Sequence, residues 1–427
     1  MQRVCLGNVS WLHKTIVFAF ILMSVLLTGC GKGKSSSNIT ANSGEAMISN
    51  KLAAIVATGD PVTREQLDSW YAEPPAGENA ADIYGQAFAA LTGDSGSPAF
   101  LAKNQNAIGL LLQAADRKAC RYPIDLKMGF ATALPHLQKI KMSAQLLNMA
   151  ANDAIAKGRT DTAIRMIEAN IRLARSLEDE PIIISRLVAD ASLALAHQPV
   201  EQLLCRGGLT DGQLVELSQA SHEADELASF RRAVVGERAA IISGFQATTE
   251  EWQAMNVNEA METNVPDLAA YKKTDTYYRD FNFALDAMNA LVDRADKSYP
   301  EALTVTVVKP DAKYVLSKML VPQMENALSR PAETAARLHI VQAALAVERY
   351  RLAHANALPS TLEELTPGLL SVAATDPFDG KPRRFKPQPG KGYTIYSIGR
   401  DKVDDGGKRQ TTTKTGVTGD VTFTVTR

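Results

Sequence analysis

From Met47 to about Arg330 the apolar positions of the chain recur with the 3.6-residue period of a helix. Leu137, Ile140, Ala144, Leu147, Ala151 and Ala154 advance by alternating steps of three and four, which places them on one helical face. Ile164, Ile167, Ile171 and Ala174 resume the pattern after a break at Gly158-Arg159-Thr160, so the two segments predict an antiparallel hairpin. Leu214, Leu217, Ala220, Ala224 and Leu227 form a further stripe, opened by Thr210 with Gln213 three residues on. Thr63 with Gln66 opens an earlier helix in the same way; in such a box each side chain bonds the other residue's backbone N–H. Glu73-Pro74-Pro75-Ala76-Gly77 separates that helix from one around Asn79 to Leu91. The prediction is a mainly α, antiparallel helical array. Val305 to Val308 is a β-branched run that fits a strand or a buried helical turn.

The pattern changes at about Pro331. A helix over Ala332 to about His354 is followed by Leu358-Pro359 and a further capping box, Ser360 with Glu363. Turn-rich sequence then encloses short strands around Arg384-Phe385 and Tyr393 to Gly399, with a last one at Asp420 to Phe423. The order predicts a small α+β domain over 331–427, after a helical domain over 47–330.

Composition narrows the functional classes. The 427 residues are 45% hydrophobic and 22% charged, which excludes a disordered, collagen-like or polytopic membrane chain. With 46 Lys+Arg against 47 Asp+Glu, no basic surplus is available for nucleic acid as a main partner. The balance hides a split: residues 331–427 hold 14 basic and 10 acidic side chains, residues 30–330 hold 30 and 37. Chemistry is sparse. None of His13, His136, His197, His222, His339 and His354 lies in a metal-spaced motif, and no P-loop, GxSxG elbow or dinucleotide fingerprint occurs. Arg231, Arg232 and Arg238, interleaved with Glu237 and Asp225, predict a solvated helix face.

Several short stretches carry resemblances. Gly93-Asp94-Ser95-Gly96-Ser97 resembles the nucleophile loop of serine proteases, but without a β-barrel pattern around it a turn between helices is expected. The hairpin around Gly158 faintly resembles a tetratricopeptide unit, though no second copy follows at the repeat spacing. At the start of the chain, Arg3 and Lys14 precede an uncharged stretch from Thr15 to Gly29, the form of an export signal. Its end, Leu27-Thr28-Gly29-Cys30, resembles the lipobox of bacterial lipoproteins. That resemblance implies cleavage before Cys30, lipid on its thiol, and a membrane partner reached through that lipid. Gly31 resembles the sorting position of lipoproteins held at an outer membrane, facing the periplasm. Residues 30–46, rich in Gly, Ser and Asn, are then expected to be a flexible tether. Only Cys120 and Cys205 remain in the exported body; they either pair or stand as two thiols.

The region from Ala332 to Phe423 resembles the globular domain of the major pseudopilin of type II secretion systems. The shared elements are the helix ending near Tyr350, the Leu-Pro turn, Asp376-Pro377-Phe378, the strand end Tyr396-Ser397-Ile398-Gly399-Arg400-Asp401, and the final Asp420-Val421 strand. This implies a structural Ca²⁺ held by Asp401, Asp420 and the carbonyl of Ile398, with Asp404 and Asp405 making up for Gly419 where an acidic residue is expected. A solvated acidic turn is the other reading of the same residues. The helix carries Arg337, His339, Glu348, Arg349 and Arg351, so it cannot polymerise as a pseudopilin helix does. The whole layout also resembles envelope proteins of planctomycete-like bacteria, through Leu67-Asp68-Ser69-Trp70-Tyr71 and Pro74 to Asn79. The resulting expectation is a non-enzymatic, lipid-anchored envelope protein with a protein partner. A ligand-binding lipoprotein and an enzyme with a dispersed cleft site are the alternatives.

Overall fold

In the computed structural model, the described residues are 41–225, 230–254, 267–304, 309–321, 328–370, 375–413 and 416–427. The expected export signal, Cys30, Leu227 and the run from Val305 to Val308 lie outside them.

The helices are α1 (Ala41–Ala57), α2 (Arg64–Trp70), α3 (Ala81–Ala90), α4 (Gln105–Ala115), α5 (Pro135–Ala156), α6 (Thr160–Arg175), α7 (Ile183–Arg206), α8 (Asp211–Asp225), α9 (Arg231–Gln246), α10 (Asp275–Ala295), α11 (Val315–Leu320) and α12 (Ser329–Ala353). Short helical turns intervene. The expected hairpin is α5 and α6, joined through Gly158 at φ 71°, a left-handed conformation that glycine adopts without strain. The α5 stripe from Leu137 to Ala154 and the α6 stripe from Ile164 to Ala174 are buried. Each fully buried Leu or Ile there contributes about 1.5–3 kcal/mol. Two of the three expected capping boxes form. Thr63 accepts from Gln66 N at 3.2 Å and Thr210 from Gln213 N at 3.2 Å, with each glutamine reaching back.

Three expectations need correction. The stretch expected as tether ends earlier, because α1 already begins at Ala41. Gly44 lets that helix lie against Tyr278, where a Cβ would come within 2.7 Å of the tyrosine side chain. The basic residues of α9 do not form a solvated face. Arg238 and Glu237 are buried, and Arg231 and Arg238 both bond Asp60. Finally, the Ser360 backbone N–H bonds the carboxylate of Glu364 at 3.1 Å, one residue beyond the expected Glu363.

The C-terminal region forms a three-stranded antiparallel sheet. Strand β2 (Tyr393–Ser397) lies between β1 (Arg384–Pro387) and β5 (Val421–Val425), with Ile395 opposite both Phe385 and Phe423. A separate pair, β3 (Thr411–Thr413) and β4 (Gly416–Thr418), stands apart from it. All of β2 is buried, because α12 covers one face and Gly407 packs on Thr394 and Tyr396 of the other.

Two large apolar clusters, and a small one of Ala332, Ala336, Phe378 and Ile398, pack the described residues. The larger joins α2 to α8 with α12 and the sheet, so it takes side chains from both sides of position 331. The other joins α1, α9, α10 and α11. Helix α12 is the hinge of this packing: it touches α7 and α8 on one side and β2 and β5 on the other.

Candidate functional site

Along α7, Asp190, Ala191, Ala194 and His197 follow steps that put them on one face. Along α12, Arg330, Glu333, Thr334 and Arg337 do the same. Where these faces oppose each other, the two alanines leave room, and a cleft of about 270 Å³ opens. Arg400, just beyond β2, closes one side of it.

The polar groups of this cleft are held in unequal ways. The Glu333 carboxylate accepts from Arg337 at 2.8 Å and also from Arg400. Burial opposes its charge, but the two guanidinium groups outweigh burial and lower its pKa. Arg337 also donates to the Gln410 side chain at 3.0 Å. Asp190 accepts from Arg186 at 3.1 Å, while burial raises its pKa against that pull. Among the described residues Arg330 has neither a hydrogen bond nor an ion pair. His197 is only 6% exposed, and neither ring nitrogen has a hydrogen-bond partner. Burial first, then the charge of Arg337, lowers its pKa to about 4.

Three guanidinium groups thus share the cleft with two carboxylates, Glu333 and Asp190, the second of which is also bonded by Arg186. An imidazole that stays neutral at ordinary pH stands beside them. A general base works best with a pKa near the working pH, so His197, with both ring nitrogens buried, is poorly suited to proton transfer. Buried polar groups without partners are rare in folded proteins. The arrangement is chemically equipped to hold an anion.

A second buried constellation contains hydrolase-type residues wired differently. His136 Nε2 lies 3.0 Å from Glu180 Oε2 and stacks on Tyr122 at 4.4 Å between centroids. Ser185 donates to Glu180 Oε1, and Tyr122 and Ser176 share a hydrogen bond of 2.7 Å. A nucleophile must pass its proton to the imidazole. Here the serine instead bonds the carboxylate, and Glu180 and Ser185 are buried. The network locks the α6–α7 turn to the start of α5.

The residues singled out from the sequence fall in three places. Asp401 accepts from Val403 N at 3.2 Å and Gly419 N at 3.0 Å. Asp420, wholly buried, accepts from Asp405 N at 3.3 Å and Gly407 N at 2.6 Å. Asp404 accepts from Gly406 N at 3.0 Å and lies 3.4 Å from Arg384. Burial, then the charges of Asp404 and Asp405, raises Asp420 above the usual carboxylate range. The backbone N–H of Ile398 bonds Asp376 at 3.0 Å. Among the described residues no group of three or more His, Cys, Asp or Glu side chains is placed to hold a metal ion. Cys120 and Cys205 are two separate thiols and not a disulfide. Burial raises Cys120 to about 12, and Cys205 lies against the end of β5, donating to Thr424 O at 3.4 Å. The familiar-looking Trp70 lies under Arg232 at 4.1 Å, and the Asn79 amide bonds both backbone groups of Arg121.

Sequence reasoning missed the cleft. Its signal was the matching spacing of polar residues on α7 and α12, but nothing in the chain said that these two faces meet. No described helix is long and apolar enough to cross a membrane. No protein-family model, no curated protein and no solved structure matches the chain.

Proposed function

We propose that the protein is a lipid-tethered, non-enzymatic binding protein of the cell envelope that holds a small anion between α7 and α12. One observation carries the reading: three guanidinium groups, those of Arg330, Arg337 and Arg400, line one cleft. The low pKa of His197 supports binding over catalysis. The tether rests on Leu27-Thr28-Gly29-Cys30, with lipid on Cys30 and the body facing the periplasm from an outer membrane.

The C-terminal region is a pseudopilin-like module carried on the helical body. The order of α12, the Asp376 turn, β2 and β5 supports this. Because α12 is covered on both sides, the module serves as part of the binding scaffold rather than as a filament subunit. Calcium at Asp401, Asp404, Asp405 and Asp420 belongs to the same proposal. A cation would relieve the repulsion that Asp404 and Asp405 exert on Asp420, but it would compete with the N–H groups of Gly407 and Gly419.

Two measurements test the reading. Cys30→Ser should release the protein from membranes, and unchanged membrane partition would remove the tether. Thermal unfolding at constant ionic strength should shift upward when chloride is replaced by phosphate, because a ligand bound only to the folded state stabilises it. No shift would remove the anion.

A further inference from the structure

We infer that Glu333 is a built-in competitor for the anion, and that it restricts the cleft to small oxyanions carrying two negative charges. This rests on the cleft being the binding site proposed above, and it adds the class of ligand and the residue that selects it.

The inference starts from how the three guanidinium groups are held. Arg337 donates to one oxygen of the Glu333 carboxylate at 2.8 Å, and Arg400 donates to the other. Glu333 therefore sits as a ligand carboxylate would, across guanidinium groups supplied by α12 and by the segment after β2. Its side chain is only 12% exposed, so dissolved salt does little to screen the two pairs. Arg330 is left out of this arrangement. Burial, then the charge of Arg400, lowers its pKa, which marks two like charges near each other. Asp190 bonds Arg186, one turn earlier on α7, and not Arg330.

This arrangement sets the terms on which a ligand can enter. An ion pair with Arg330 alone would have little net strength. A ligand held firmly must also engage Arg337 or Arg400, and Glu333 engages both. A competitor carried on the same helix is never diluted away, and its effective concentration is on the order of millimolar or above. A singly charged carboxylate brings the same charge and the same two oxygens as Glu333, so it only exchanges one carboxylate for another. A doubly charged oxyanion brings one charge more, and Arg330 is there to receive it. The cleft volume of about 270 Å³ keeps that ligand small.

A different role for Glu333, that of holding Arg337 and Arg400 in place for the ligand, predicts the opposite sign when its charge is removed. Calorimetric titration of the full mature chain in detergent, at constant ionic strength in chloride, separates the two with sulfate and formate as probes. Sulfate should bind the wild type at least about tenfold tighter than formate. Glu333→Gln, which removes the competing charge and keeps the shape, should tighten sulfate about tenfold or more and bring formate binding into range. Glu333→Asp, whose shorter side chain reaches the two guanidinium groups less well, should also tighten sulfate, and it serves if the glutamine variant does not fold. Weaker or unchanged sulfate binding by the folded variants would overturn the competitor and leave the proposed function standing. Formate binding to the wild type as tightly as sulfate would overturn the restriction to two charges. Sulfate binding by none of the proteins would overturn both this inference and the anion site.

Discussion

Ser397, at the end of β2, donates its hydroxyl to Asp376 at 2.7 Å, and both side chains are wholly buried. Asp376 also accepts from Phe378 N at 3.0 Å, Ile398 N at 3.0 Å and Arg384 at 2.7 Å. One carboxylate therefore ties the Asp-Pro-Phe turn to the strand end. Asp376→Ala leaves buried donors unpaired and should cost about 3–5 kcal/mol. Denaturant unfolding checks this; a loss below about 1 kcal/mol would show that the turn does not depend on the carboxylate.

Gly236 marks the closest approach of α9 to the segment before α7. A Cβ there would lie 1.8 Å from the carbonyl oxygen of Pro181, a backbone atom that cannot rotate away. Gly236→Ala should destabilise by about 1–3 kcal/mol or more, despite the better helix propensity of alanine. An unchanged melting temperature would contradict this packing.

Glu237, its neighbour, is buried, and burial raises its pKa to about 7. A carboxyl raised in the folded state holds its proton there while the unfolded chain has already lost it. Its contribution is therefore complete below the ordinary value of 4.5 and is lost as pH rises towards about 7. Glu237→Gln should remove that loss, stabilising the protein above pH 7 by on the order of 2–3 kcal/mol. Parallel stability–pH curves for the two proteins would contradict the burial of this group.

The acidic loop gives a metal test. Calcium should raise the melting temperature, a chelator should reverse the rise, and Asp420→Asn should abolish it. An identical melting temperature with calcium and with chelator would remove calcium from the loop.

The helical body was legible because burial on one face forces a period of 3.6, and the stripes of α5, α6 and α8 are that period. The capping boxes were legible because they need only residues three apart. Other features depend on partners distant in sequence. Arg238 reads as a surface charge until Asp60 is placed beside it, 178 residues away. The hydrogen-bond network of His136 and Glu180 with Ser185 had no local signature either. The cleft was the least legible, since it takes residues from α7, α12 and Arg400, and only tertiary packing brings them together. In the C-terminal module the strands and turns were legible, while the N–H groups that cap Asp401 and Asp420 were not.

The central claim is that the space between α7 and α12 is an anion site. The most direct measurement is calorimetric titration of phosphate into the wild-type protein and into Arg330→Ala. Saturable binding by the wild type, weakened about tenfold or more by the substitution, is the predicted result. No binding by the wild type, or equal binding by both proteins, would contradict it.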